Sequence, residues 1–215
     1  MPDDSVLEEG PKRPRGRPRL DDQLMPRILD AAERLFAEHG PVSVSIRDIA
    51  AEAGLPHSAI YRYFESKDEV LRQVLIRGRT RQREHEAEGR RVGRTTEGAL
   101  DWLLANNRAY VLTVARLALE GETTSSLGID PGETVAQQTL AVVEDGYPFE
   151  LRTDHDPQTL VAAMMALTIG WVTAEEWILD AVGLHGCDHA AVRARIDDIL
   201  GSMMALGRGR GEPCE

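Results

Sequence analysis

Disulfide chemistry is nearly absent from this chain. Its 215 residues include two cysteines, Cys187 and Cys214, which excludes a disulfide scaffold and points to a reducing compartment. Aromatics are scarce, at three Trp, four Tyr and three Phe, and neither Gly nor Pro reaches the excess of a collagen or a disordered chain. The N-terminus has Asp3, Asp4, Glu8 and Glu9 and no apolar stretch, so no secretory signal is expected. The longest mostly apolar run, Leu160 to Val172, falls short of the ~18 residues a membrane span requires, and Glu175 and Glu176 soon follow. The expectation is a cytoplasmic globular protein with no membrane partner.

Charge is the first positive signal. The net charge is −11, but it is unevenly laid out. Residues 1–10 carry four acids and no base, residues 11–83 carry 15 Lys and Arg against 10 Asp and Glu, and residues 84–215 carry 10 against 22. Binding responds to potential within about a Debye length and not to the total. The first third of the chain is therefore open to a polyanionic partner, with an ordinary solvated surface as the alternative.

The pattern throughout is helical. Residues 1–21 read as a disordered basic arm. From Asp22 the apolar positions Leu24, Ile28, Ala31, Ala32, Leu35 and Phe36 keep a helical period, and Gly40-Pro41 stops it. Ser45 and Asp48 have capping-box spacing at the head of a second helix carrying Ile46, Ile49, Ala50 and Ala53. Gly54 ends that helix, Leu55-Pro56 makes a corner, and a third short helix carries His57 to Phe64. Ser66 and Glu69 repeat the capping-box spacing. Further helices are predicted over roughly 66–89, 96–120, 132–145, 157–183 and 188–207, with Asp130-Pro131, Asp156-Pro157 and Asp188 as starts. The fold class expected is all-α: an N-terminal three-helix domain over 22–67, a larger helical domain over 68–207, and a tail over 208–215.

Two short helices joined by a glycine turn, with Ile49 and Ile60 between them, describe a helix-turn-helix unit whose second helix would enter the major groove. A helical hairpin alone is weak evidence. The outward face of the third helix strengthens it, because His57, Ser58, Tyr61 and Arg62 share one side, and all four can hydrogen-bond to phosphates or base edges. Three motifs run together here: A-A-x-x-L-F-x-x-x-G from Ala31, I-R-D-I-A-x-x-A-G from Ile46, and Y-R-Y-F-x-S-K from Tyr61. The run from Ile28 to Leu75 that contains them resembles the DNA-binding domain of the tetracycline-repressor (TetR) family of bacterial regulators. The resemblance implies phosphate contacts by Ser45, Tyr61, Tyr63 and Lys67, and base reading by Arg47, His57, Ser58 and Arg62. Two positions depart from the family pattern: Val44 replaces a frequent Thr, and Pro56 stands where a Ser cap is common. Bland alternatives remain for some of these residues. Arg47 could pair with Asp48 or Glu52, Tyr61 could be half-buried packing, and His57 and Lys67 could be merely solvated.

The arm Lys12-Arg13-Pro14-Arg15-Gly16-Arg17-Pro18-Arg19 is slim and extended, so Arg15, Arg17 and Arg19 suit a narrow A·T-rich minor groove. The arm resembles an AT-hook core. A basic tail acting only through counterion release is the alternative.

In the larger domain, the segment 157–183 is apolar on most faces, and such a helix is buried all round. With 188–207 it is expected to form a four-helix interface between two copies, an arrangement the family resemblance supports. A ligand pocket is sketched by Trp102, Asn106 and Tyr110 at four-residue spacing on one helix and by Met164, Thr168, Trp171 and Glu175 on another; ordinary core packing is the alternative. The expected partners are thus a double-stranded DNA operator, a second copy, and an unidentified, largely apolar effector whose binding releases the DNA. No cofactor and no enzymatic activity are expected, since no P-loop, Gly-x-Ser-x-Gly or His-Glu-x-x-His motif occurs. Two competing readings are a metal-responsive regulator, on His185, Cys187 and His189, and a ligand-free architectural DNA binder, on the arm.

Overall fold

The structure, a computed structural model, describes residues 20–92, 98–123, 125–130, 134–145 and 156–206. Among the described residues it is helical, without a strand. The helices are α1 (Leu20–His39), α2 (Ile46–Glu52), α3 (His57–Ile60), α4 (Lys67–Arg91), α5 (Ala99–Trp102), α6 (Arg108–Leu119), α7 (Val135–Asp145), α8 (Pro157–Ala181) and α9 (His189–Leu206). A π-helical turn, Leu103–Asn107, joins α5 to α6. The basic arm, Asp130-Pro131 beyond its first residue, and the C-terminal tail lie outside the described residues.

Local chemistry sets the first three helices. Ser45 and Asp48 form both halves of a capping box at α2, satisfying amides that the helix start leaves free. Gly54 takes φ +64°, a left-handed conformation that side chains resist, and so turns the chain out of α2. Pro56 then precedes α3 with φ −64° and no side-chain cap. Around these helices lies a core of Ile28 and Phe36 from α1, Ile49 from α2, Ile60 from α3, and Val70 and Val74 from α4, all at most marginally exposed. Full burial of each such side chain is worth about 1.5–3 kcal/mol. Val44 belongs to the same core, so this position contributes packing where a Thr would offer a hydroxyl.

The core does not stop at residue 67. The first turns of α4 supply part of it, and Leu117 of α6 closes it from the larger domain. Beside that contact the Arg116 guanidinium donates to the carbonyls of Ala37 (2.8 Å) and Glu38 (2.7 Å), so a cation of α6 meets the acceptors at the C-terminus of α1.

A second core gathers Leu100, Leu103, Val111, Trp171, Val172, Leu179, Val192 and Leu200 from α5, the π turn, α6, α8 and α9. Leu140 of α7 and Val161 of α8 make a smaller third cluster. Asp156 caps α8 ahead of Pro157 by accepting from the Thr159 amide, as its sequence position predicts. Within α8, Ala174 leaves helical geometry (φ −137°, ψ 22°). The Thr173 hydroxyl donates to the carbonyl of Ile169 (2.7 Å) and lies 3.1 Å from that of Gly170, a side chain entering the helix ladder where helices bend.

In one respect α8 exceeds its sequence expectation. The apolar run counted from Leu160 to Val172 is short, yet α8, kinked at Ala174, spans 25 residues and is, by length and composition alone, long and apolar enough to cross a membrane. Only 22% of its most apolar window is buried within the chain, so the helix is not buried all round. Trp177 is 73% exposed on its outer side, and Ile199 of α9 is also exposed.

Candidate nucleic-acid interface and effector domain

The α2–turn–α3 unit presents a polar face over an apolar floor. The third helix, expected from His57 to Phe64, ends at Ile60, which is fully buried; His57 and Ser58 on α3 and Tyr61 and Arg62 in the turn that follows are exposed. His57 and Tyr61 meet edge to face, with ring centroids 6.3 Å apart, and the Arg62 guanidinium lies 5.9 Å from the centre of the Tyr63 ring. Tyr63 is half-buried and packs on the core. Arg47 is exposed on α2 and has no hydrogen-bond or ion-pair partner among the described residues. Its two candidate acids are taken: Asp48 by Ser45 at 2.6 Å, Glu52 by Arg34 at 2.9 Å. Hydrogen bonds from the Ser45 hydroxyl and amide hold the Asp48 carboxyl below its ordinary pKa.

Two phosphate-contact candidates are already engaged within the chain. The Ser45 hydroxyl donates to Asp48 and accepts from its amide at 3.2 Å. Lys67 is half-buried, and its ammonium donates to the carbonyl of Pro41 at 2.7 Å and lies 3.3 Å from that of Val42. It ties α4 to the α1–α2 turn. Arg15, Arg17 and Arg19 lie outside the described residues. Two turns into α1, Arg27 donates to the Ala53 carbonyl at 2.7 Å, beside the turn into α3.

In the larger domain the seven candidate ligand residues divide. Trp102, Tyr110, Met164 and Trp171 all belong to the second core or pack against it. Thr168 is half-buried on α8. Trp102 also stacks on His85 of α4, centroids 4.1 Å apart and nearly parallel. Burial raises the pKa of the Tyr110 phenol above its ordinary value, opposed by nearby Arg79 and reinforced by Glu86. Asn106, by contrast, is exposed and only donates back to the Trp102 carbonyl (3.1 Å). The four-residue spacing from Trp102 assumes a regular helix, but the π turn closes over five residues and brings Asn107 inward instead, at 1% exposure. Glu175 faces Arg193 of α9 at 2.8 Å, and Arg193 also pairs with Asp101 of α5.

Asn107 is the residue that periodicity misses. Its amide donates to the Gly78 carbonyl (3.0 Å), and its oxygen accepts from Arg81 Nε and Nη2 (3.2 and 3.1 Å). Arg81 in turn pairs with Glu33 of α1. A buried polar chain thus runs from the π turn through α4 to the first domain. No local signal announces it, because its members are 26 and 48 residues apart.

Between α8 and α9, Cys187 is exposed, His185 faces Asp180 and His189 faces Glu176, each at 3.8 Å. Among the described residues no group of three or more His, Cys, Asp or Glu is placed to hold a metal ion.

Comparison with known proteins bears on both halves. Residues 28–74 match the family described as bacterial regulatory proteins, tetR family. An HTH-type transcriptional repressor of Mycobacterium tuberculosis is 44% identical over 64 residues, which are 30% of this chain and 32% of that protein. The matched segment therefore spans about a third of the relative. Among solved structures, a tetR-family regulatory protein from Rhodococcus RHA1 superposes with a TM-score of 0.63 at 18% identity, over 86% of this chain and 98% of that one. A gamma-butyrolactone receptor superposes with a TM-score of 0.54 at 17% identity, over 84% and 97%. At such identities the structural likeness carries the fold. Residues 28–74 are thus similar to the amino-terminal domain of the tetR family of bacterial regulatory proteins, and the described helices share the fold of solved tetR-family structures.

Proposed function

We propose that the chain is a ligand-responsive, sequence-specific transcriptional regulator, a cytoplasmic homodimer that represses from a pseudo-palindromic operator until a small, largely apolar effector releases it. The observation that carries this reading is the α3 face. Four hydrogen-bonding side chains stand exposed, His57 and Ser58 on α3 and Tyr61 and Arg62 in the turn that follows it, over a fully buried Ile60, a geometry suited to base edges in a major groove. Arg47, unpaired beside it, adds a fifth reader or a phosphate contact. Ser45 and Lys67 would meet phosphates only by exchanging or sharing their present bonds, and Tyr63 from its half-buried place on the core. The arm precedes α1, whose Arg27 touches the α2–α3 turn, and from there Arg15, Arg17 and Arg19 would reach the minor groove flanking each half-site.

Dimerisation is supported by the uncovered apolar side of α8, with Trp177 and, on α9, Ile199. An effector among Trp102, Tyr110, Met164, Thr168 and Trp171 would act through the buried chain Asn107–Arg81–Glu33 and through Arg116 on α1. Its effect is limited to its preference for the DNA-incompetent state. The structural neighbours include a receptor named for a small lactone, which supports an effector of that size.

The test is selection of genomic fragments on the full-length protein at fixed salt. An inverted repeat is expected, with half-sites centred about 10–10.5 base pairs apart or a multiple of that. Enrichment of A·T-rich DNA without a repeat would favour an architectural role, and no enrichment would end the reading. Deleting residues 1–19 should weaken operator binding and flatten its salt dependence, by about one unit of slope for each phosphate that the arm neutralises. An unchanged slope would remove the arm from the interface.

A further inference from the structure

We propose that the indole N–H of Trp171 is the donor that orients an uncharged, carbonyl-bearing apolar molecule within the second core. The inference deepens the effector reading above and rests on it. Trp171 is 6% exposed, and its Nε1 is fully shielded yet has no hydrogen-bond partner among the described residues. Native proteins seldom keep a shielded donor unpaired without a use for it, because the lost hydration is not returned. Trp171 shares its core cluster with Leu100 of α5, Leu103 of the π turn and Val111 of α6, and Met164 and Leu167 of its own helix pack against that cluster. Unbranched Met and flexible Leu walls adapt to an apolar guest, and one convergent donor is enough to set its orientation.

The charges bordering this core select the guest's class. Glu175, one turn along α8, is held by Arg193, which also grips Asp101. Asp197 accepts from the Leu100 amide at 3.2 Å. An anionic guest would have to displace one of these pairs to reach Arg193, and a cationic guest would have to draw Glu175 away from it. A neutral acceptor, such as a ketone, ester, lactone or amide oxygen, needs only the N–H.

The experiment uses full-length protein labelled with 15N-tryptophan, whose Trp102, Trp171 and Trp177 indole signals are assigned with Trp171→Phe. The probes are cyclohexanone and methylenecyclohexane, which match in shape but differ in the acceptor. Cyclohexanone should move the Trp171 indole proton downfield and saturate, while methylenecyclohexane should not. Trp171→Phe should weaken cyclohexanone binding about tenfold, and its helix content checks that it folds. Should that variant fail to fold, the comparison of the two probes on the unmodified protein decides alone. The inference is overturned by no shift with cyclohexanone, by equal shifts with both probes, or by a Trp171 proton already at a hydrogen-bonded position in the free protein. Duplex binding on the same sample keeps the two readings apart. A silent Trp171 with intact DNA binding ends this inference alone, whereas a responsive Trp171 without any DNA binding ends the regulator and leaves the site.

Discussion

Residues of similar appearance in the sequence hold different positions in the fold. Arg47 and Lys67 both read as cations beside a recognition helix, yet Arg47 is unpartnered and Lys67 fastens α4 to two carbonyls of the α1–α2 turn. Arg47→Ala should therefore leave stability within about 0.5 kcal/mol. Lys67→Met should cost about 1.5–3 kcal/mol, the range for hydrogen bonds to a charged group. Urea denaturation of the two variants checks this, and equal stabilities would show that Lys67 is solvated. Asp197 offers a test in pH. Burial raises its carboxyl above the ordinary 3.8, against amide bonds from Leu100 and Gly98, with Asp101 also raising it. A raised carboxyl favours the fold most below 3.8, and that contribution is lost as pH rises through the folded value. Asp197→Asn keeps an acceptor for Leu100 and cannot ionise. The melting temperature of the variant relative to the parent should climb across that window and then level off; a constant difference would show that the carboxyl titrates normally. Arg193, paired to Asp101, stays charged throughout.

At the scale of elements, what the sequence discloses depends on how local the deciding contact is. The start of α2 is legible because Ser45 and Asp48 are three residues apart, and Gly54 announces its own turn. The buried face around residue 107 is not. Asn106 and Asn107 are identical side chains, and only the five-residue turn, together with Gly78 and Arg81 from α4, decides which of them enters the core. The Glu175–Arg193 pair is equally hidden, since the partners sit on different helices. The close approach of α4 to α6 depends on Gly78, where a Cβ would overlap the ring of Tyr110. Gly78→Ala should cost about 1–3 kcal/mol, and Tyr110→Leu in the same chain should recover part of it. A thermal-melt cycle over the four proteins measures the coupling, and strictly additive losses would mean the ring is free to move aside.

For the whole molecule, the two domains share more than a peptide link. Leu117 closes the first core, Arg116 holds the end of α1, and Asn107–Arg81–Glu33 crosses between them, so the first domain is fastened to α6 and α4 by packing as well as by the chain. The uncovered side of α8 makes the assembly state a second whole-molecule property. Trp177→Glu should yield monomers in sedimentation and remove the dependence of melting temperature on protein concentration. Operator affinity should fall with it, since one head then acts alone. A sedimentation coefficient unchanged by the variant would place the interface elsewhere.

The wide turn at Leu103–Asn107 has a counterpart in chain length. It contains one residue more than regular coiling needs to bring the chain from Trp102 to the inward-facing amide. Excising Ala105 would let α5 and α6 fuse into a single rod with Asn107 still on the Trp102 side. That shortened protein should melt near the parent, whereas excising Leu112 inside α6 should swing everything before it by about 100° and abolish cooperative unfolding. The spare residue records where this scaffold can gain or lose length without re-registering its interior.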